Sequence, residues 1–257
     1  GQEAIDLYNT TGRTAQQWQQ LRFFFFYDIL AENEDGLWVH TKFGYSVPRR
    51  NGKNEIAAMR ELYGLQRGEN ILHTAHRTTT SHAAWERLCS LLDKAKIEYR
   101  SIRASGRESI RLKSGEGPHR VPHPFLQGRS GRGLRPAHHR RGRRSTPTIR
   151  KAPSKYVVTD SRDPQTLFCG TPPTPVSLRT VFLKLRNAAL QGETQNTGWA
   201  EWSVEQQTDP HDVAAWYETN PSLGTIFTER SITDEIGSDP IDFNIQRLAL
   251  GCGITRN

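Results

Sequence analysis

The residues best placed to do chemistry lie in the stretch SVPRRNGKNEIAAMREL (residues 46–62), where a predicted strand runs through a short loop into a predicted helix. In such a unit, N–H groups of the loop and of the helix N-terminus point at an anion, and a lysine reaches the outer phosphates of a nucleotide. We therefore predict a phosphate-binding loop. Gly52 would allow close backbone approach and Lys53 would neutralise β- and γ-phosphate charge, with Arg49, Arg50 and Asn51 completing the loop.

The match to a nucleotide-binding loop is partial. Val47 stands where the first glycine is usual, and Asn54 replaces the serine or threonine that binds Mg²⁺. We keep Asn54 as a weak candidate for an Mg²⁺ ligand. A bare Asn-Gly-Lys is also typical of a basic turn that caps a helix, and this alternative stays open on the local sequence.

Strands and helices alternate on both sides of the loop. Residues 37–48 alternate in polarity and are rich in β-formers, whereas 54–66 carry apolar residues at helical spacing. The other predicted strands are 69–77, YRSIRAS, SIRLKS, 164–175 (where QTLFCG is expected to be buried) and 199–205. The other predicted helices are 13–31 (a helix, or a helix running into a strand), 80–97, 181–190, 209–221, 228–237 and 239–250. Thr80 or Ser81 is predicted to cap the helix at 80–97. This pattern predicts an α/β fold with a mostly parallel central sheet and a helical C-terminal extension.

The net positive charge of the chain comes from one segment. Residues 118–155 hold nine Arg, two Lys and no Asp or Glu, so they contribute +11 to a total of +8 and the remainder nets −3. Such a stretch usually indicates nucleic-acid binding, but this one contains no aromatic residue except Phe125 and no recognisable module. The chain has no run of 18 apolar residues, so we expect no membrane span. Three Cys without metal-ligand spacing favour a reducing cytoplasm.

Four ordered segments carry a family resemblance: YSVPRRNGKNEIAAMRELYGL, ILHTAHRTTTSHAAWERL, YVVTDSRDPQTLFCGTPPTPVS and AWYETNPSLGTIFTERSITDEI. Over most of 1–116 and 155–250, the chain resembles the large terminase subunit of tailed bacteriophages. The resemblance implies a P-loop NTPase sandwich that uses ATP and Mg²⁺ to drive double-stranded DNA into the capsid, followed in the family by an RNase-H-like nuclease. It also implies a small terminase subunit, a portal and a homo-oligomeric ring as partners, in the host cell cytoplasm.

The resemblance assigns further roles. Residues 47–54 correspond to the deviant Walker A loop of these motors. Trp18 and Gln19 resemble the element that contacts adenine, with a core Trp beside a solvent-exposed Gln as the alternative. Thr171, in FCGTPPT, resembles the γ-phosphate sensor of the coupling segment, with a strand-ending turn as the alternative. The three His of HTAHRTTTSH allow a Zn²⁺ site, although helix-cap and strand-end positions are favoured.

The family pattern also requires a Walker B strand, an apolar run ending in Asp-Glu that holds Mg²⁺-bound water and activates the attacking water. Residues 117–155 contain no acid. Read from the second base of each codon, however, GLRPAHHRRG (133–142) can encode GFDLLIIDEA, and RRSTPTIRKAPS (143–154) read from the third base can encode QEYTDDQESAL, which rejoins KYVV in frame. We therefore predict that 117–154 are out-of-frame and disordered or poorly packed, and that 251–257 are an out-of-frame tail. We also predict that no catalytic carboxylate is intact and that the chain is weakly active or inactive as an ATPase.

These observations divide the chain into an ATPase domain (1–205), a helical extension or linker toward an absent nuclease domain (206–250) and a tail (251–257). The missing initiator Met and signal-peptide pattern suggest an N-terminus internal to a longer product. Two other functions stay open. One is a non-catalytic basic protein that binds nucleic acid through 118–155, with salt-sensitive affinity. The other is a different P-loop DNA translocase or helicase, which would share the Walker machinery but not the TPPTP and NPSLG segments.

Overall fold

A computed structural model describes residues 1–20, 25–75, 78–103, 108–113, 125–127, 163–171, 180–237 and 239–251. The helices are α1 (Gln2–Asn9), α2 (Gln17–Gln20), α3 (Phe25–Ile29), α4 (Lys53–Gln66), α5 (Thr78–Lys94), α6 (Thr180–Leu190), α7 (Val213–Thr219), α8 (Glu229–Thr233) and α9 (Pro240–Arg247). The strands are β1 (Lys42–Ser46), β2 (Ile71–His73), β3 (Tyr99–Ile102), β4 (Ser109–Leu112), β5 (Phe125–Gln127), β6 (Thr166–Gly170) and β7 (Thr197–Glu201). Most of 117–154 and of 251–257, for which a changed frame is predicted, lies outside the described residues. In the segment expected to pack poorly, β5 nevertheless pairs with β2.

The central sheet has the order β6-β1-β7 among the described strands, and both pairings are parallel. The predicted α/β fold with a mostly parallel sheet is confirmed. Ser46, the last residue of β1, pairs with Gly170 on one side and Glu201 on the other, so the three strands end at one edge. Gly44 is required in β1 because a Cβ there would lie 2.3 Å from the Trp199 ring. The loop after β1 leaves from the carboxyl edge, where open α/β sheets bind their ligands.

Helix α4 forms because its apolar residues recur every three to four positions and so share one face. Ile56, Met59, Leu62 and Leu65 are each at most 2% exposed, as their spacing predicted. They join one core with side chains from α1, β1 and α5. Burial of such a side chain contributes about 1.5–3 kcal/mol. This packing fixes the position of Lys53, the first residue of α4.

The two strands predicted after α5 form an antiparallel hairpin of β3 and β4. One face of the hairpin packs into the core, where Ile110 is fully buried. The opposite face places Arg100 directly across from Arg111, and both side chains are exposed. Two arginines therefore stand side by side on the surface of this hairpin.

The predicted helical extension, 206–250, has a hydrophobic cluster of its own, formed by Ala215, Trp216, Leu223, Phe227, Ile232, Phe243 and Leu248. The carboxylates of Asp212 and Asp239 cap α7 and α9, as expected for helices that start with Asp. The segment that follows β7 links the extension to the sheet. Its Val204 N–H donates to the Leu248 carbonyl of the extension at 3.0 Å, and its Trp202 N–H donates to the Ser46 carbonyl at the end of β1 at 3.0 Å. Within the described part of the chain, no helix is both long and apolar enough to cross a membrane.

Three details differ from the sequence-based predictions. Strand β1 covers only the second half of 37–48, because Trp38 instead forms an isolated antiparallel bridge with Glu32. Thr80 and Ser81 lie inside α5 rather than at its cap, because the helix already begins at residue 78. Strand β6 was predicted to be buried, but its side chains are half-buried or exposed, because β6 pairs with β1 alone among the described strands.

Candidate nucleotide site

Both ends of the loop at 47–54 are anchored to the central sheet. The Val47 N–H donates to the Gly170 carbonyl at 3.3 Å, so the loop starts beside the end of β6. The hydroxyl of Tyr45, which is fully buried in β1, donates to the Lys53 carbonyl at 2.8 Å. The entry and the exit of the loop are therefore held by neighbouring strands.

The Lys53 side chain reaches back across the loop, where Nζ donates to the Pro48 carbonyl at 3.1 Å. Among the described residues, no carboxylate forms an ion pair with this ammonium. Burial lowers the pKa of Lys53 to about 8; the nearby Cys169 opposes this shift, whereas the cations Arg49 and Arg247 add to it. A half-buried ammonium whose hydrogen-bond partner among the described residues is a carbonyl suits an incoming anion, which would restore its charge balance.

Gly52 and the start of α4 complete the anion-binding geometry. Gly52 has φ 75° and ψ 21°, a left-handed conformation that costs a residue with a Cβ about 1–2 kcal/mol. The N-cap residue of α4 is Gly52, which has no side chain with which to cap the helix, and α4 is 14 residues long. Its N-terminus therefore presents donors and a partial positive charge beside Lys53, as in known phosphate sites.

Asn51 is fully buried, and its amide is committed to contacts within the protein. Its Nδ2 donates to Oδ1 of Asn220 at 2.9 Å and, at longer distances, to the carbonyls of Pro48 and Arg49. Its Oδ1 accepts a hydrogen bond from the Ser222 N–H at 3.0 Å. Asn51 can therefore offer a phosphate only its backbone, and its side chain holds the shape of the loop.

Arginines surround the loop, and one carboxylate holds two of them. Arg49 and Arg50 are exposed, and Nη1 of Arg50 lies 3.1 Å from Oε1 of Glu235. Glu235 also binds Nε of Arg247 at 2.5 Å, which lowers the pKa of Glu235. Arg247 is only 1% exposed and donates from Nη1 to the Arg49 carbonyl at 3.2 Å. Arg49, Arg50, Arg247 and Lys53, two of which share the carboxylate of Glu235, form a cationic site that suits a polyphosphate.

The structure brings the predicted adenine-contacting element next to the loop. Trp18 is 6% exposed, packs edge-on against Trp202 with ring centroids 5.0 Å apart, and donates from Nε1 to the Ser222 hydroxyl at 2.9 Å. Gln19 is 2% exposed and donates to the Gly52 carbonyl at 3.3 Å. Trp18 is thus a core residue, and the alternative of a solvent-exposed Gln19 is wrong. The adenine contact itself stays a prediction.

Thr171 and Asn54 lie at the same edge of the sheet. Thr171 is half-buried and directly follows Gly170, whose carbonyl binds the start of the loop. Asn54 is exposed in the first turn of α4 and can give one amide oxygen to Mg²⁺ that phosphates and water also coordinate. In the described ranges, no group of three or more His, Cys, Asp or Glu side chains is arranged to hold a metal ion. Residues 133–142, where a Walker B strand is predicted in another frame, lie outside those ranges.

The histidines of HTAHRTTTSH have separate surroundings. His73 ends β2, as predicted for a strand-end position, and its Nδ1 lies 2.5 Å from Oε1 of Glu61. His82 lies in α5 and its Nδ1 is 3.2 Å from Oε1 of Glu108. His76 lies outside the described residues. His73 therefore contacts Glu61, whereas His82 contacts Glu108 and Glu86.

The fold is similar to the crystal structure of the HK97 bacteriophage large terminase, with a TM-score of 0.64 and 15% sequence identity. The likeness covers 93% of this chain and 51% of that protein, so the chain spans about half its length. The likeness shows a shared α/β fold over that part of the terminase. No protein-family model matches the sequence, and no curated protein matches it.

Sequence reasoning missed four residues that contact the loop: Asn220, Ser222, Glu235 and Arg247. They lie far along the chain, with Asn220 169 residues from its partner Asn51, and no local periodicity links such distant positions. The segment NPSLG was recognised only as part of the family resemblance. The sequence signal that could have found them is Asn-Pro-Ser directly after an amphipathic helix. Such a polar turn, when it is buried, needs hydrogen-bond partners elsewhere in the protein.

Proposed function

We propose that this chain is the ATPase subunit of a terminase-type packaging motor, which couples ATP hydrolysis at the 47–54 loop to movement of double-stranded DNA. The observation that carries the proposal is the half-buried Lys53 ammonium at the start of α4, which donates to a carbonyl and lies near Arg49 and Arg247. The fold likeness to a phage terminase supports a packaging motor among P-loop ATPases. A small terminase subunit, a portal and a ring of copies in the host cytoplasm belong to the same proposal.

Each side chain at the site then has a role in binding ATP and Mg²⁺. Lys53 and the N–H groups of α4 bind the β- and γ-phosphates, with Arg49 and Arg50 adding positive charge. Asn54 binds Mg²⁺ directly or through water. The element at Trp18 and Gln19 contacts the adenine, and Thr171 senses the γ-phosphate from the end of β6. The Asn51 side chain positions the loop and does not touch the nucleotide.

The outward face of the β3–β4 hairpin supports DNA as the partner. Like charges directly opposite each other destabilise a sheet, so the Arg100–Arg111 pair has a cost that a bound anion would relieve. We assign both arginines to phosphates of the DNA backbone. Replacing both with Gln should weaken duplex binding at 50 mM salt and reduce the slope of log K against log salt by about 2. Arg230→Gln, an exposed arginine in α8, is the control and should leave the slope unchanged.

Residues 117–155 contain no Asp or Glu, although the Walker B strand expected there ends in this pair. We therefore propose that 117–154 are translated out of frame and that the in-frame segment carries the Walker B strand. The codon reading GFDLLIIDEA supports this. Strand β6 supports it as well, since Leu167 and Phe168 are only half-buried and β6 pairs with β1 alone among the described strands. A parallel strand beside β6 would cover these side chains and bring its Asp-Glu to the edge that carries Lys53.

An ATPase assay on the given chain and on a frame-restored gene tests both proposals. The given chain should bind ADP through Lys53 with little turnover, and the restored chain should hydrolyse ATP at least about 100-fold faster. Lys53→Ala should abolish ADP binding by the unrestored chain and ATP turnover by the frame-restored chain. Turnover by the given chain that survives Lys53→Ala would contradict the motor assignment. Resequencing codons 115–156 and the region near codon 250 tests the frame separately, and a DNA sequence that encodes the given protein would overturn it.

A further inference from the structure

The helical extension contacts the 47–54 loop directly. Three of its side chains, those of Asn220, Ser222 and Arg247, are each at most 1% exposed and hydrogen-bond to the loop. Their partners in the loop are Asn51 and the backbone of Arg49. The Arg49 N–H also donates to a backbone carbonyl of α9, at 3.4 Å. A segment expected to be a linker thus forms one wall of the candidate nucleotide site.

Ser222 connects the two halves of that site. Its hydroxyl accepts a hydrogen bond from Nε1 of Trp18 at 2.9 Å and donates to the Asn51 carbonyl at 3.3 Å. Its N–H donates to Oδ1 of Asn51 at 3.0 Å. One fully buried serine therefore links the proposed adenine-contacting element to the proposed phosphate-contacting loop.

Asn220 connects the loop to two helices of the extension. Its Oδ1 accepts from Nδ2 of Asn51 at 2.9 Å. Its own Nδ2 donates at 3.0 Å both to the Trp216 carbonyl in α7 and to the Arg247 carbonyl at the end of α9. The position of Asn51 is therefore tied to the packing of both helices.

The loop needs such external bonds because its backbone is strained. Arg50, which has a Cβ, takes φ 66°, and Gly52 takes φ 75°. A left-handed non-glycine residue persists only where the surrounding structure over-determines it. Asn51 lies between these two residues, and Asn220 and Ser222 satisfy both ends of its amide.

We propose that Asn220 and Ser222 are positioning residues of the nucleotide site, which hold the 47–54 loop in the shape that binds phosphate. The inference rests on the proposed ATP-binding function and extends it, since residues 206–250 become part of the site. Because coupling between two parts of a protein is reciprocal, nucleotide binding must in turn stabilise the extension.

The test compares two buried asparagines of the extension in the full chain. Asn220→Ala removes a bond to the loop, whereas Asn244→Ala removes an equally buried amide whose side-chain partners, Thr208 and Pro240, lie in the extension. Ser222→Ala is a milder third variant. A fluorescent ADP analogue measures affinity, urea unfolding measures stability, and hydrogen exchange at the Ser222 amide measures coupling.

We expect Ser222→Ala to weaken ADP binding about tenfold and Asn220→Ala about 30-fold or more, with less than a threefold change for Asn244→Ala at a similar loss of stability. ADP should slow exchange of the Ser222 amide in the wild type and in Asn244→Ala. The positioning role would be overturned if both asparagine variants lost the same ADP affinity, or if the ADP affinity of Ser222→Ala lay within threefold of the wild-type value. A wild type that does not bind ADP, or binds it equally after Lys53→Ala, would overturn the proposed function together with this inference.

Discussion

The Lys53 ammonium lies 3.1 Å from the Pro48 carbonyl oxygen, so that the lysine binds its own loop across five residues. A nucleotide bound as proposed would displace or share this bond, and it would meet an ammonium whose pKa burial lowers to about 8. A cation with that pKa is partly neutral just above physiological pH. The proposed binding of phosphate at this loop would therefore be coupled to proton uptake by Lys53.

The first prediction is that ADP affinity falls as pH rises from 8 toward 10. Bound phosphate favours the charged lysine and raises its pKa, so binding above pH 8 requires a proton, and affinity falls by at most about tenfold per pH unit. Titrations with a fluorescent ADP analogue between pH 7.5 and 10 measure this slope. Lys53→Arg keeps its charge over the whole range, so its slope should be close to zero. An equal slope in that variant would show that another group is responsible.

The second prediction is that Lys53→Met stabilises the nucleotide-free protein while it abolishes ADP binding. The folded-state pKa of about 8 lies below the unfolded value of 10.5, so the cost of burying the ammonium is complete below pH 8 and disappears as pH rises toward 10.5. Urea unfolding at pH 7 should show a gain of about 1–3 kcal/mol, and the gain should vanish near pH 10.5. Lys42→Met, an exposed lysine at the start of β1, should change stability at pH 7 by less than about 0.5 kcal/mol.

The third prediction concerns the ion pair beside the loop. Arg186 in α6 binds Glu201 at the end of β7 through two hydrogen bonds of 2.6 Å, and both side chains are less than a fifth exposed. Arg186→Met should lower the free energy of unfolding by about 2–4 kcal/mol at pH 7, because it leaves a carboxylate mostly buried and without its cation. Adding Glu201→Met should recover part of that loss, as measured by urea unfolding of the single and double variants.

The same pair has a defined pH dependence. Burial alone would raise the pKa of Glu201, but hydrogen bonds from Arg186 and Trp199 outweigh it and lower the pKa. The stabilisation is therefore present above the ordinary value of 4.5 and is lost as pH falls through the lowered pKa. The difference between wild type and Arg186→Met should shrink below pH 4.5, and a difference that stays constant to pH 3 would contradict this account.

Local patterns predicted the elements that position the site. The period of Ile56, Met59, Leu62 and Leu65 is a property of the sequence itself, so α4 and its buried face could be predicted, and the parallel sheet followed from the alternation of strands and helices. Termini were less predictable, because the start of α5 and the first half of the predicted strand at 37–48 depend on contacts rather than on composition. Trp38, for example, donates its N–H to the carboxylate of Asp163, 125 residues away.

The part of the site that came from distant segments could not be predicted. Lys53 and Gly52 form a local motif, whereas Asn220, Ser222 and Arg247 meet the loop only because 206–250 folds back onto it. A buried asparagine and an exposed one are identical in a single sequence. Only the packing shows that one of them completes a hydrogen-bond network with Asn51.

The last prediction concerns His73 and Glu61, whose side chains approach to 2.5 Å and are at most 18% exposed. Burial disfavours the charged imidazole, but the hydrogen bond and the charge of Glu61 outweigh both burial and the opposing charge of Arg87, and so raise the pKa of His73. A raised pKa means that this stabilisation is complete below the ordinary value of 6.5 and is lost as pH rises through the folded-state value.

Glu61→Gln should therefore lower the pKa of His73, as measured by the NMR titration of its ring proton, and should cost about 1–3 kcal/mol of unfolding free energy at pH 6 but less at pH 9. Glu86→Gln, which changes the carboxylate 3.3 Å from His82 in α5, is the matched control and should leave the His73 titration unchanged. A His73 titration that is unaffected by Glu61→Gln would show that the pair does not set the charge of this histidine. In that case the stability difference between wild type and Glu61→Gln would be the same at pH 6 and pH 9.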